Sequence, residues 1–290
     1  MEQFSGYTDS LKQYNVANLR LSTSFRSNFY DRDTNCTINL TQNRIINNVV
    51  KINLNSVTIC NNFYNVASYN NKFNLDVINA DVPTNYDIVV PPGYYNTTEL
   101  AAILQELIRV HSAFVTVAWS DTYKRFYVNS GSPVVRIRFF TQNPPPKNFL
   151  QNNFLYLVGL PILGFPYEAD DTNVLFPNPP ALFGATNVYI MSNKLVSGKS
   201  VLNVLGPNDN EIDRDLQSQN GSEIMALGIT SAYGAYQTYY DQGSERGDYV
   251  LSQGIALDSI DLKVVDEFGN VLETDANNTP IYFSFKVSYQ

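Results

Sequence analysis

Histidine and cysteine are nearly absent from this chain: its 290 residues include one histidine, His111, and two cysteines, Cys36 and Cys60. Structural zinc sites are closed by four Cys and His ligands and catalytic ones by three, so that chemistry is not expected. Two cysteines make no disulfide framework, and a reducing compartment is the expectation. A Ser-His-Asp or Cys-His site needs nucleophile, base and orienting acid within reach of one another, and nothing in the sequence brings Cys36, Cys60 or a particular serine to His111. His111 ends a predicted helix, where the helix dipole or a carbonyl is its expected partner.

Charge is also scarce, at 16% of residues against a usual share of roughly 25%. The net charge is -8, and the first 44 residues mix Lys12, Arg20, Arg26, Arg32 and Arg44 with Glu2, Asp9, Asp31 and Asp33. Neutralising phosphates takes clustered Lys and Arg, so direct nucleic-acid binding is not expected. No apolar run approaches the roughly 18 residues of a membrane span. The start "MEQFSGYTDS" has neither a basic segment nor an apolar run, so no signal peptide is expected and synthesis is assigned to the cytoplasm. The sequons at Asn35, Asn39, Asn96, Asn220 and Asn277 then read as accidents of an Asn-rich sequence.

Asn and Tyr fill the space left by charge. Asn tolerates the left-handed backbone of tight turns, which suits a surface made of turns or covered by neighbours, although an AT-rich genome raises both residues as well. The charge that exists is uneven. Lys124, Arg125, Arg136, Arg138 and Lys147 face one nearby acid, Asp121, while Glu168 to Asp275 holds 17 acids and five bases. Such asymmetry can match one subunit's basic strip to another's acidic face, which makes Arg136 and Arg138 candidate interface residues.

The first firm strand is "VVKINLNSVTIC". Val50, Ile52 and Leu54 share one face, but Val57 and Ile59 fall on the opposite parity, so a bulge near Asn55 and Ser56 is expected in a long bent strand. Shorter strands follow at Phe73 to Ile78 and Tyr86 to Val90. In "VVPPGYYNTTELAAILQELIRV" Asn96 caps a helix, Glu99 stands in the capping-box position, and Leu100, Ile103, Leu104, Leu107 and Ile108 make one apolar face. "FVTVAW" and "YKRFYV" form a hairpin to which "VVRIRFF" adds a third strand, with Val135, Ile137 and Phe139 on one face and Arg136 and Arg138 on the other. A second helix is predicted over Lys147 to Val158, closing at Gly159. "TNVYIMS" and "KSVLNVL" read as strands. Ile260, Leu262 and Val264, and then Ile281, Phe283, Phe285, Val287 and Tyr289, alternate with polar partners in two half-buried antiparallel strands. The fold class that follows is all-β: a single jelly-roll β-sandwich over 45–290 with short inserted helices, preceded by an extended N-terminal arm over 1–44. The turn-rich segment at about 206–256 is expected as an outward insertion.

Short motifs add little. "NKLVSGKS" ends like a phosphate loop at Gly198, Lys199 and Ser200, but has Asn193 where the first glycine is needed and a β-like continuation, so no nucleotide or other cofactor is expected. Asp170, Asp171 and the loop "NDNEIDRD" read as solvated turns rather than calcium ligands or paired glycosidase carboxylates. "SERGDYV" makes Arg246, Gly247 and Asp248 a candidate exposed recognition loop, resembling the integrin-binding signal of some viral vertex proteins.

The order of elements is similar to that of the penton, or minor capsid, proteins of virophages and Polinton-like viruses. The bent strand, the Pro-Pro-Gly turn and helix, the hairpin "AFVTVAWSDTYKRFYV", the helix running into "LVGLPILGF", "NVYIMSNKLV" and the closing strands carry this resemblance over roughly residues 45–290. It implies a structural capsid protein with no catalytic residue, which joins copies of itself in a homopentamer at the vertex of an icosahedral double-stranded DNA virus shell. The implied partner is the major capsid protein of the same virus, and the implied location is the virion. Two rivals fit the same composition: another minor capsid or cement protein, and a β-sandwich carbohydrate-binding adhesin whose tyrosines stack on sugars.

Overall fold

The computed structural model of the chain describes residues 14–28, 32–40, 45–141, 152–161, 167–169, 173–196, 223–240, 248–274 and 279–290. The strands in chain order are β1 (Asn15–Ser22), β2 (Asn35–Asn39), β3 (Ile46–Cys60), β4 (Lys72–Asn79), β5 (Val82–Val89), β6 (Thr116–Ser120), β7 (Arg125–Asn129) and β8 (Val135–Thr141). They continue as β9 (Tyr167–Ala169), β10 (Val174–Leu175), β11 (Asn187–Met191), β12 (Glu223–Gly228), β13 (Tyr236–Tyr240), β14 (Asp248–Leu257), β15 (Ser259–Val265) and β16 (Tyr282–Tyr289). The helices are α1 (Thr97–Arg109), α2 (Phe154–Val158) and the single turn α3 (Asn193–Val196).

Two sheets form a sandwich. One runs β1-β16-β3-β13, with β14 sharing the edge of β3 beside β13, and the other runs β12-β11-β15-β2. The chain visits the first sheet with β1, the second with β2, the first with β3, the second with β11 and β12, the first with β13 and β14, the second with β15 and the first with β16. That alternation is the double Greek-key path of a jelly roll, so the fold is all-β as expected. Its core holds Leu19, Ile38, Ile52, Val57, Val188, Leu262, Phe283 and Phe285. Along β16 and the residue before it the expected alternation holds, with Ile281, Phe283, Phe285 and Val287 inside and Tyr282 and Lys286 outside.

Two boundaries differ from the sequence reading. Within the segment expected as an arm, β1 pairs β16 from Asn15↔Tyr289 to Ser22↔Tyr282, and β2 pairs β15. Leu19, Leu21, Cys36 and Ile38 are buried. Each strand offers only two or three apolar positions, too few to stand out as a period. In the segment at about 206–256, expected as an outward insertion, the described residues instead supply β12, β13 and most of β14 to the two sheets. The stretch that stands apart from the jelly roll lies between β3 and β11, where a second hydrophobic cluster takes all its buried members from Val66 to Phe176.

β3 bends through two bulges. Leu54 pairs Phe285 while Ser56 pairs Ser284, so Asn55 is the extra residue, where a bulge was expected. Val49 pairs Tyr289 while Lys51 pairs Ser288, so Val50 is extra as well. That second bulge puts Val49 in the core in place of Val50, which the parity of Ile52 and Leu54 had assigned there.

The second cluster lies between a sheet of order β5-β4-β8-β9, a sheet of order β10-β7-β6, and helices α1 and α2. Helix α1 has the expected capping box: the Asn96 side chain accepts from the Glu99 N–H at 2.9 Å, and the Glu99 carboxylate accepts from the Asn96 N–H at 3.0 Å. Leu100, Leu104 and Ile108 are buried, and Ile103 and Leu107 are partly so. Strand β8, expected beside the hairpin β6–β7, pairs with β4 and β9 in the other sheet. Gly131, at φ 72, turns the chain between them, and a Cβ there would stand 2.2 Å from the Phe114 carbonyl oxygen. Helix α2 ends at Gly159 in the left-handed conformation, as its sequence predicts. The upstream part of the predicted helix at 147–151 and the predicted strand at 199–205 lie outside the described residues.

Candidate functional site

The segment joining β3 to β4, "NNFYNVASYNN", runs between the two cores and explains part of the Asn enrichment. Asn62, Asn65, Asn70 and Asn71 are all buried. Asn65 exchanges a reciprocal pair with the Tyr95 peptide, accepting from its N–H at 2.9 Å and donating to its carbonyl at 2.8 Å. Asn70 accepts from the Ala67 N–H at 2.7 Å, and Asn71 donates to the Val90 carbonyl at 2.8 Å. A side-chain amide mimics a peptide group, which lets an irregular segment stay buried with its polar groups met. The seam continues outward. Asn152, just before α2, and Asn270, in the turn after β15, exchange amide hydrogen bonds at 3.0 and 2.9 Å. Tyr94 of the inserted unit stacks on Tyr233 of the jelly roll, with ring centroids 3.6 Å apart.

Glu273 closes one side of the seam. It accepts from Ser68 Oγ at 2.6 Å, from the Ser68 N–H at 3.0 Å and from Arg32 at 2.8 Å. Burial pushes its carboxyl up, but the hydrogen bonds from Arg32 and Ser68 outweigh it and hold the group below the usual range. Deeper in the jelly roll, Asp33 accepts from Thr23 Oγ1 at 2.5 Å and from Arg26 at 3.1 Å. The Arg26 and Asp33 side chains are 8% and 2% exposed, so this ion pair is almost fully desolvated.

A cavity of about 400 Å³ opens where the two cores meet. Tyr64, Tyr69 and Tyr156 come from the inserted side, Phe183 from the chain returning to β11, and Asp266 and Phe268 from the turn after β15. Asp266 Oδ1 accepts from the N–H groups of Phe268 and Asn270 at 2.9 and 2.8 Å, and Oδ2 from the Asn270 side chain at 2.8 Å. Burial still leaves its carboxyl above the usual range. Burial, with Asp266 and Glu273 nearby, pushes the Tyr69 phenol well up, so it stays protonated. Nothing among the described residues forms a cluster able to hold a metal ion.

The residues singled out in the sequence are dispersed. Arg136 and Arg138 project from β8 and are met within the chain. Arg138 donates to Glu168 Oε2 through Nε and Nη2 at 3.0 and 2.8 Å, and Arg136 donates to Glu168 Oε1 at 2.8 Å and to Asp81 at 2.6 Å. The Arg138 hydrogen bond, helped by Arg136, holds Glu168 below the usual carboxylate range despite partial burial. Asp81 sits in the β4–β5 turn, and Glu168 on β9. Asp248 is the first residue of β14; Arg246, Gly247, Gly198, Lys199, Ser200, Asp170, Asp171 and the 208–215 loop lie outside the described residues. His111 stacks on Tyr86, with centroids 3.9 Å apart. Cys36 and Cys60 are both buried and are not joined in a disulfide. No helix among the described residues is long and apolar enough to cross a membrane.

One surface was not foreseen. On the outer face of the β1-β16-β3-β13 sheet, Tyr236 and Tyr240 on β13 and Tyr282 on β16 are 53%, 70% and 48% exposed. Between them Thr58 and Thr238 hydroxyls meet at 2.9 Å. Arg20 on β1 and Lys286 on β16 stand on the same face, exposed and without an ion pair to the described residues. The signal was the polar half of the alternation in "IYFSFKVSY", which reads at sequence level only as the solvated side of a strand.

The fold and its surfaces define a jelly-roll protein with a unit of mixed strands and helices inserted between its third and fourth strand positions. No family model matches the sequence, and no curated protein matches it. Among solved structures the chain is similar to the crystal structure of the mavirus penton protein, with 11% sequence identity and a TM-score of 0.47 over 96% of this chain and 100% of that one.

Proposed function

We propose that this chain is a structural capsid protein, and that its jelly roll joins copies of itself in a five-membered ring at the vertex of an icosahedral shell. The observation that carries the reading is the outer face of the β1-β16-β3-β13 sheet, which presents three tyrosines with Arg20 and Lys286 around them. Tyr and Arg are enriched in protein interfaces, because they pair a large apolar body with a polar tip. A closed ring needs a heterologous interface, two different patches per subunit, and a cationic aromatic face suits a neighbour that presents carboxylates. A chain of net charge -8 has those to offer. Arg136 and Arg138 are not used as the pairing residues, because Glu168 and Asp81 already neutralise them. The role assigned is non-enzymatic: its work is done by surfaces, in a virion, with the major capsid protein as the outer partner.

The test is the mass of the purified protein by light scattering, with negative-stain images of the same sample. A discrete five-subunit ring is expected, and Tyr236→Asp with Tyr240→Asp should return folded monomers. A wild-type monomer that stays monomeric over a hundredfold range of concentration removes self-assembly through this face.

A further inference from the structure

The cavity between the jelly roll and the inserted unit has the composition of a ligand site, and its chemistry narrows the ligand. Among the described residues no Lys, Arg or His lines it, while Asp266 and Glu267 do. Phosphates, sulfates and carboxylates are therefore repelled. A cationic ligand is poorly served too. The Asp266 carboxylate is taken up by three hydrogen bonds of its own turn, which leaves Glu267, an exposed group whose ion pairs would be screened.

What the walls do offer is aromatic surface with a few polar groups. Phe183 is 76% exposed and Tyr156 50% exposed beside an opening with room for a sugar ring. Tyr69 lines the same space, and its hydroxyl stays protonated and makes no hydrogen bond to the described residues. Glu267 accepts one hydrogen bond from Asn187, through Oε2, at 3.2 Å. The buried amides Asn65, Asn70 and Asn152 are met by protein groups and serve as frame. A neutral molecule with one apolar face and a hydroxylated edge fits that set.

We propose that the cleft between the jelly roll and the inserted unit is a saccharide-binding site: it takes a neutral pyranose whose apolar face stacks on Phe183, with Tyr156 beside it, and whose hydroxyls are read by the Tyr69 hydroxyl and the Glu267 carboxylate. The proposal does not depend on ring assembly. A monomer would bind as well as a pentamer, so failure of one leaves the other standing.

The experiment is saturation-transfer NMR on the full chain with the methyl pyranosides of glucose, galactose and mannose and with N-acetylglucosamine. At least one is expected to receive saturation, most strongly at its apolar-face protons, with an affinity that does not change with salt. Phe183→Ala should abolish the signal, and Tyr69→Phe, which removes only a hydroxyl, should weaken binding about tenfold, or about 1.4 kcal/mol. Far-UV circular dichroism and Trp119 emission identify any variant that has lost its fold. No transfer to any of the four sugars overturns the proposal, and so does transfer that survives Phe183→Ala. Binding of benzyltrimethylammonium in place of the sugars, lost with salt and with Glu267→Gln, would overturn it in favour of a cation site.

Discussion

The two cores reach similar burial by opposite routes. The inserted unit draws its buried residues from one unbroken stretch, Val66 to Phe176, and most of its pairings are between neighbours such as β4 with β5 and β6 with β7. The jelly roll is assembled from both ends of the chain: β1 lies on β16, β2 on β15, and β3 on β13, β14 and β16. Local pairing is closed by short turns and carries little loop entropy, while distant pairing must overcome far more before it is rewarded. The difference shows in how each core tolerates polar groups. The jelly roll encloses the Arg26–Asp33 ion pair with Arg26 Nε and Asp33 Oδ2 lacking partners, whereas the seam beside the inserted unit pairs nearly every buried amide.

That contrast can be broken in four places. The largest effect is expected from Asp33→Ala, which leaves the Arg26 guanidinium buried and unpaired; about 3–5 kcal/mol of stability should be lost in urea unfolding, all of it in the jelly roll. Leu104→Ala should cost the inserted unit about 3 kcal/mol by opening a cavity under α1. Trp119, the single tryptophan, packs edge-on against Phe126 in that unit, so its emission should shift before the far-UV signal does. Coincident curves in this variant would show that the cores unfold as one and remove the distinction.

Asn65→Ala acts on the seam between them. It strips both hydrogen bonds from the Tyr95 peptide and should cost about 1–3 kcal/mol, seen by both probes equally. The smallest effect concerns acid. Glu168 titrates below its unfolded value, so its contribution is present above the ordinary glutamate range and is lost as pH falls through the lowered folded value. Glu168→Gln should flatten that part of the stability curve by lowering the neutral and alkaline side toward the acid one.

How much of this was legible in the sequence follows the same division. The capping box of α1, the hairpin β6–β7, the left-handed Gly159 and the bulge at Asn55 are local events, each written in a few adjacent residues. Strands β1 and β2 were missed because Ala17, Leu19 and Leu21, or Cys36 and Ile38, mean little until β16 and β15 arrive from more than 200 residues away. The Arg136 and Arg138 strip was visible, but its partners Asp81 and Glu168 lie 55 and about 30 residues off, so the charges looked available when they were spoken for. The junction cavity drew on Tyr69, Tyr156, Phe183 and Asp266, which only the meeting of the two cores brings together.

The pairing of Asn15 with Tyr289 also sets a timetable. On the ribosome the inserted unit can close as soon as its own stretch has emerged, while β1, β2 and β3 are already outside with their apolar faces uncovered. β3 waits for β13 and β14, β2 for β15 and β1 for the last strand, at synthesis rates of about 5–20 residues per second. A nascent chain stalled after about residue 200 would therefore carry a finished inserted unit and an unpaired β3, the species most exposed to chaperones and to aggregation.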